Sequence, residues 1–141
     1  MRLVVDANIL VAELLRKRGR ALVADKRLEL FIAAKAMEEA LYELVKRIDI
    51  IAERSGASTE DLSAFLEVAT RAAKDNFLTI ESEAYQAFEI EARMRIPRDA
   101  DDWHTVALAL SLGAAIWTQD NDFLGCGVAT WTTETLRLKL A

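Results

Sequence analysis

The chain has 141 residues, 52% hydrophobic and 29% charged, the size and make-up of one globular domain covering residues 1–141. Its single cysteine, Cys126, excludes an internal disulfide and a cysteine-based zinc site, and a cytoplasmic residence fits that best. A formal charge of −5 argues against a dedicated nucleic-acid binder, although acids gathered in a metal site would be offset locally by a cation.

In chain order, Leu3 to Val5 form an apolar run that reads as a buried strand closed by Asp6. Because Asp6 interrupts that run, the segment lacks the h-region of a signal peptide, and no later stretch has the apolar length of a membrane span. Ile9 to Lys17 read as a helix with Gly19 as a stop, and Leu28 to Ala33 as a second strand. From Ala36 towards Arg54 the spacing of Met37, Leu41, Leu44, Val45 and Ile48 is helical. Ser55 to Ser58 break the chain before a capped helix that runs from Thr59 to about Lys74.

Phe77 to Ile80 read as a third strand, and Glu83 to Met94 as a helix that Pro97 cannot extend. Asp101 or Asp102 then caps a helix over Trp103 to Leu112, which Gly113 ends. Ala115 to Thr118 are a fourth strand, followed by an acidic turn from Gln119 to Asp122. Val128 to Trp131 suggest a fifth strand, and Thr132 or Thr133 caps a last helix over Glu134 to Leu140. Strands alternating with helices imply parallel βαβ units and a sheet covered on both faces. Ligands of such sheets bind beyond the carboxyl ends of the strands.

Four acidic features fall at those ends: Asp6; Glu39, with Glu38 beside it and Glu43 one turn on; Asp102, with Asp99 and Asp101 upstream; and Asp120 with Asp122. Each has a plain alternative when taken alone. Asp6 and Asp102 would serve as turn or cap residues, the glutamates as a solvated helix face, and Asp120 to Asp122 as a polar turn. Together they point elsewhere, because carboxylates brought into one cleft do not all stay ionised without compensation. Mg²⁺ or Mn²⁺ takes oxygen ligands at such sites, keeps waters and engages substrate phosphate, which favours phosphodiester hydrolysis.

The segments VVDANIL and RDADDWHTVALALSLGAAIWTQDNDF, with a helical glutamate between them, resemble the PIN domain, and in particular its toxin-type, VapC-like ribonucleases. The resemblance extends over nearly the whole chain, and its second block is the more specific. It implies an α/β; three-layer α/β/α sandwich with a central parallel sheet of four to five strands, and a Mg²⁺- or Mn²⁺-dependent ribonuclease activity. It also implies the toxin role of a toxin–antitoxin pair. Carried over by position, the catalytic and metal-binding acids are Asp6, Glu39, Asp102 and Asp120, with Asp122 auxiliary and Glu43 the alternative to Glu39. Asn8 and Thr118 match polar positions that orient the carboxylates or the attacking water; local backbone capping is their plain reading. A small antitoxin protein and a homodimer built on the amphipathic stretch from Met37 to Lys74 are the partners this resemblance suggests, beside RNA.

Arg16, Lys17 and Arg18, with Arg20, Lys26 and Arg27, make the segment after the first helix basic and able to meet RNA phosphates, or simply solvated. Arg93, Arg95 and Arg98 are placed to meet substrate or a partner. His104 reads as a surface or partly packed residue, Trp103 as core or rim, and Trp117 as core. The competing functional reading is a PIN-like module that binds RNA or protein without cleaving. A receiver-type phosphotransfer domain would need Asp two residues after Asp6, where Asn8 stands, and a lysine after its last strand.

Overall fold

The computed structural model describes residues Met1–Ala141. Five short apolar runs become β1 (Arg2–Val5), β2 (Glu29–Ala33), β3 (Phe77–Ile80), β4 (Ala115–Trp117) and β5 (Thr130–Trp131). All their pairings are parallel, in the order β3-β2-β1-β4-β5. Leu3 pairs with Leu30 on one side and with Ala115 on the other. β1 is thus the middle strand, and Leu3, Val4 and Val5 are wholly buried. An uninterrupted apolar run is what a parallel strand covered on both faces requires.

Seven helices flank this sheet, giving a three-layer α/β/α sandwich: α1 (Ala7–Leu14), α2 (Lys17–Val23), α3 (Ala34–Ser55), α4 (Thr59–Asn76), α5 (Glu89–Arg95), α6 (Trp103–Leu112) and α7 (Thr133–Leu140). α6 packs against β1, β2 and β4. Its residues Val106 to Ala109 are all buried, so it is apolar around its whole circumference. α3 instead buries one stripe, Ala36, Ala40, Leu44, Ile48 and Ala52, spaced by four.

Two elements differ from the sequence expectation. The first helix does not run to Lys17; it stops at Leu14, and Gly19 lies inside α2 rather than ending α1. The chain bends at Leu15 and Arg16 so that Gly19 seats against Glu13, where a Cβ would collide with the Glu13 carbonyl oxygen. The segment Glu83 to Met94 is also not one helix. Short 3-10 turns at Ser82–Ala84 and Gln86–Phe88 precede α5. They turn Tyr85 inward to 1% exposure, and that burial outweighs local helix propensity.

From β1 the chain winds outward through β2 to β3, then returns and adds β4 and β5 on the other side. The winding reverses between β1 and β4. In an open parallel sheet the crevice beyond the carboxyl ends at that reversal is where ligands bind.

Candidate metal centre

The reversal point sets Asp6 beside Thr118. Asp6 follows β1, and its N–H donates to the Trp117 carbonyl at 3.1 Å, extending the β1–β4 ladder by one rung. Its Oδ1 accepts from the Asn8 N–H at 3.4 Å as the N-cap of α1. Its Oδ2 accepts from Thr118 Oγ1 at 2.8 Å. The capping expected of Asp6 is thus present, and its second oxygen is engaged by Thr118. Asp6 is 7% exposed. Burial pushes its carboxyl above the usual range, the Thr118 hydroxyl and the Asn8 N–H pull against that, and the Asp120 charge adds to it.

Thr118 has a second task. Its Oγ1 accepts from the Asp120 N–H at 2.9 Å, and Asp120 Oδ1 in turn accepts from the Asp122 N–H at 2.9 Å. The polar turn expected here exists, and it is what aims Asp120. Asp122 is tied elsewhere: Arg98 Nε lies 3.6 Å from its Oδ1, and Arg98 Nη2 donates to the Asn121 carbonyl at 2.9 Å.

Asp102 stands at the N-cap position of α6 yet makes no capping hydrogen bond with its side chain. Its carboxyl is pushed up to about 7, first by burial, then by the charge of Asp99, then by Asp6, with a hydrogen bond to Asp99 and the charge of Asp120 adding to the effect. Three of the expected acids are thus linked by charge: Asp6 and Asp120 act on Asp102, and Asp120 on Asp6. Asp99 joins them as the strongest charged neighbour of Asp102. Sequence reasoning placed it only upstream of the site; the RDADD spacing, which sets two acids one helical turn apart, was the signal available.

Neither Glu39 nor Glu43 is among the groups that act most strongly on Asp6 or Asp102. Both lie on α3, where Glu39 is exposed. Glu43 is held by Arg47 at 3.2 Å and Lys46 at 3.7 Å. Asn8 is exposed and contributes its backbone N–H. Lys17 and Arg18 are exposed at the start of α2, and Arg16 precedes them. Arg93 is engaged with Glu89 and Asp101, and Arg95 with Glu91 and the Cys126 carbonyl.

His104 is half-buried. Its Nδ1 pairs with the Tyr85 hydroxyl at 2.9 Å, and its ring stacks on Trp103 at 3.9 Å between centroids. Burial holds its pKa below the ordinary histidine value.

The donor set matches a hard divalent ion in kind: carboxylate oxygens, mutually repelling, on a rigid sheet edge. No three of the acidic, histidine or cysteine side chains converge closely enough to cage an ion among themselves. An ion there would be held through one or two carboxylates and keep much of its water.

Comparison with known proteins agrees with this architecture. The family model described as PIN domain matches residues 4–141. No curated protein matches the chain. Among solved structures, PAE2754 from Pyrobaculum aerophilum is similar at 22% identity and a TM-score of 0.67, over 99% of this chain and 89% of that one. A toxin-antitoxin complex from Klebsiella pneumoniae is similar at 20% identity and a TM-score of 0.57, over 87% and 91%. FitAcB from Neisseria gonorrhoeae is similar at 20% identity and a TM-score of 0.52, over 93% and 96%. At these identities the three structures speak to the fold.

Proposed function

This chain belongs to the PIN domain family, and from that premise we propose that it is a divalent-metal-dependent endoribonuclease, the toxin of a toxin–antitoxin pair. One observation carries the reading. At the reversal point of the sheet, the Asp102 carboxyl is pushed up to about 7 by burial and by the charges of Asp99, Asp6 and Asp120. A cleft that raises an acid in this way favours a cation more than a proton as pH rises.

Of Asp6, Asp102 and Asp120, one or two would hold Mg²⁺ or Mn²⁺ directly and the remainder through its water ligands. Glu39, or Glu43 one turn along α3, would complete the acidic set, and Asp122 would support Asp120. When bound, the ion supplies Lewis-acid polarisation of the phosphodiester and acidifies water. Thr118 fixes both neighbours by donating to Asp6 Oδ2 and accepting from the Asp120 N–H. Asn8 holds Asp6 Oδ1 through its backbone. Burial of Asp6 keeps bulk water from its inner face, so its orientation is set by the protein. RNA as substrate, an antitoxin that covers the cleft, a homodimer and a cytoplasmic residence belong to the same proposal. A toxin-antitoxin complex among the similar folds supports the antitoxin.

A second reading, a PIN-like module that binds RNA or protein without cleaving, draws on the lack of three closely convergent ligands. Incubation of the purified protein with a mixed single-stranded RNA pool in Mn²⁺ and in EDTA separates the two. Cleavage is expected in Mn²⁺ only, and lost in Asp6→Asn with an unchanged circular-dichroism spectrum. Wild-type protein that binds the pool in every metal without cutting it, and still binds when the acids are neutralised, would establish the second reading.

A further inference from the structure

Glu13 is one of four buried polar side chains, 2% exposed, and it lies two turns beyond Asp6 on α1, outside the acidic cleft. Its Oε1 accepts from Thr133 Oγ1 at 2.8 Å, and Thr133 Oγ1 accepts from Trp117 Nε1 at 3.0 Å. Its Oε2 is buried without a hydrogen-bond partner, 3.7 Å from Arg137 Nη2. A buried carboxylate with an open lone pair costs stability. In this chain it anchors an arginine from α7.

That arginine lines a groove of about 490 Å³ between α1 and α7, together with Arg16, Asn8 and Gln119. Asn8 lies two residues after Asp6, and Gln119 immediately precedes Asp120, so the groove opens onto the carboxylate edge. The Arg16 side chain is exposed and makes no hydrogen bond or ion pair, unlike those of Arg20, Arg27, Arg93, Arg95 and Arg98. The Arg137 guanidinium donates no hydrogen bond to the protein, and the side chain is 31% exposed. The acid that offsets it faces inward, while the groove's other acid, Glu134, is exposed and screened by solvent.

We propose that this groove is a phosphate subsite of the substrate strand, adjoining the scissile position: Arg137 and Arg16 bind a backbone phosphate of single-stranded RNA, and Glu13 is a positioning residue that aims Arg137. The inference rests on the nuclease reading of the neighbouring cleft and names residues on the other side of it. A guanidinium presents several donors in a planar fork suited to phosphate oxygens, and one held by a buried carboxylate is oriented before the ligand arrives.

The test uses fluorescence anisotropy with a short fluorescein-labelled oligouridylate in EDTA, alongside Mn²⁺-dependent cleavage of the same strand. Arg16→Gln and Arg137→Gln are each expected to weaken binding about tenfold. The logarithmic salt dependence should become shallower by about 0.7 for each arginine lost. KM should rise by the same factor with kcat little changed. Arg137→Lys should recover the salt slope but not the full affinity, which a merely structural arginine would not do. Glu13→Gln should lower affinity while keeping the slope; if it fails to fold, the arginine variants still decide. Wild-type cleavage together with arginine variants of unchanged KM and slope would overturn the groove and leave the nuclease standing. Arginine-dependent binding without any cleavage would do the reverse. Wild-type protein that shows neither would remove both.

Discussion

Thr118 holds two carboxylate-bearing segments with one hydroxyl, so its loss has a defined cost. Thr118→Val removes the 2.8 Å bond to Asp6 and the 2.9 Å bond from the Asp120 N–H. The variant is expected to lose about 1.5–3 kcal/mol in urea denaturation, the range for hydrogen bonds to charged groups. A double-mutant cycle with Asp6→Asn should return a coupling of similar size; additive losses would mean the bond contributes nothing. Asp102 makes a pH prediction. Its folded-state pKa, about 7, is raised above the usual carboxylate value. The folded state therefore holds a proton that the unfolded state has released between those two values. This group's stabilising contribution is complete below the unfolded value and is lost as pH rises through about 7. In EDTA, Asp102→Asn should accordingly raise the Tm of the protein more at pH 8 than at pH 5, as read by differential scanning calorimetry. An equal shift at both pH values would contradict the raised pKa.

At the scale of elements, Gly19 and Gly113 are needed for opposite reasons. Gly113 ends α6 with φ +60 and open space around it, so any side chain there strains the backbone. Gly19 is constrained by space, since a Cβ would press on the Glu13 main chain and on its Oε2. Gly19→Ala is expected to cost about 1–3 kcal/mol or more, since the obstacle is backbone and α2 must lift from α1. Equilibrium unfolding of that variant beside Gly113→Ala measures both. The fold was largely legible in such elements. Strands stand where Leu3 to Val5 and Phe77 to Ile80 indicated, and Thr132 caps the last helix through a reciprocal bond with Thr135. What escaped was long-range. The stop after Leu14 carries no glycine or proline, because it is set by Gly19 docking on Glu13. The broken helix around Tyr85 answers to a hydroxyl–imidazole contact with His104. Of the candidate site, Asp6 and Asp120 were readable as strand-end acids. Glu13, Thr133 and Arg137 were not, because they meet across more than a hundred residues and share no motif. The one hint was Glu13 itself, a lone acid in the otherwise apolar run from Ile9 to Leu15.

For the whole molecule, the proposed metal site would make stability depend on cations. A divalent ion that binds the folded chain alone adds about 2.7 kcal/mol at a free concentration near 100 times its Kd. Thermal denaturation at pH 8 should therefore rise with added Mn²⁺ in the wild type and respond weakly in Asp6→Asn; equal shifts would place the ion elsewhere. No helix is long and apolar enough to cross a membrane. Large apolar side chains are nonetheless exposed on α3 and α5, among them Tyr42 at 70% and Ile90 at 77%. Such surface is where the proposed homodimer would form. Sedimentation velocity is expected to show a dimer that Ile90→Glu or Tyr42→Glu weakens, and a wild-type monomer at all concentrations would exclude it.

The bond from Thr118 to Asp6 joins residues 112 apart in the chain, and it bears on when this protein comes into being as well as on its finished form. At roughly 5–20 residues per second of synthesis, Asp6 leaves the ribosome about 6–22 s ahead of its partner. When that interval closes the middle strand of the sheet has β2 beside it, with β3 on the far side of β2, and gains β4 only at the end. On the proposed nuclease reading, a growing chain would be inert until its last third arrives, and the polysome that makes it would be spared cleavage by its own product.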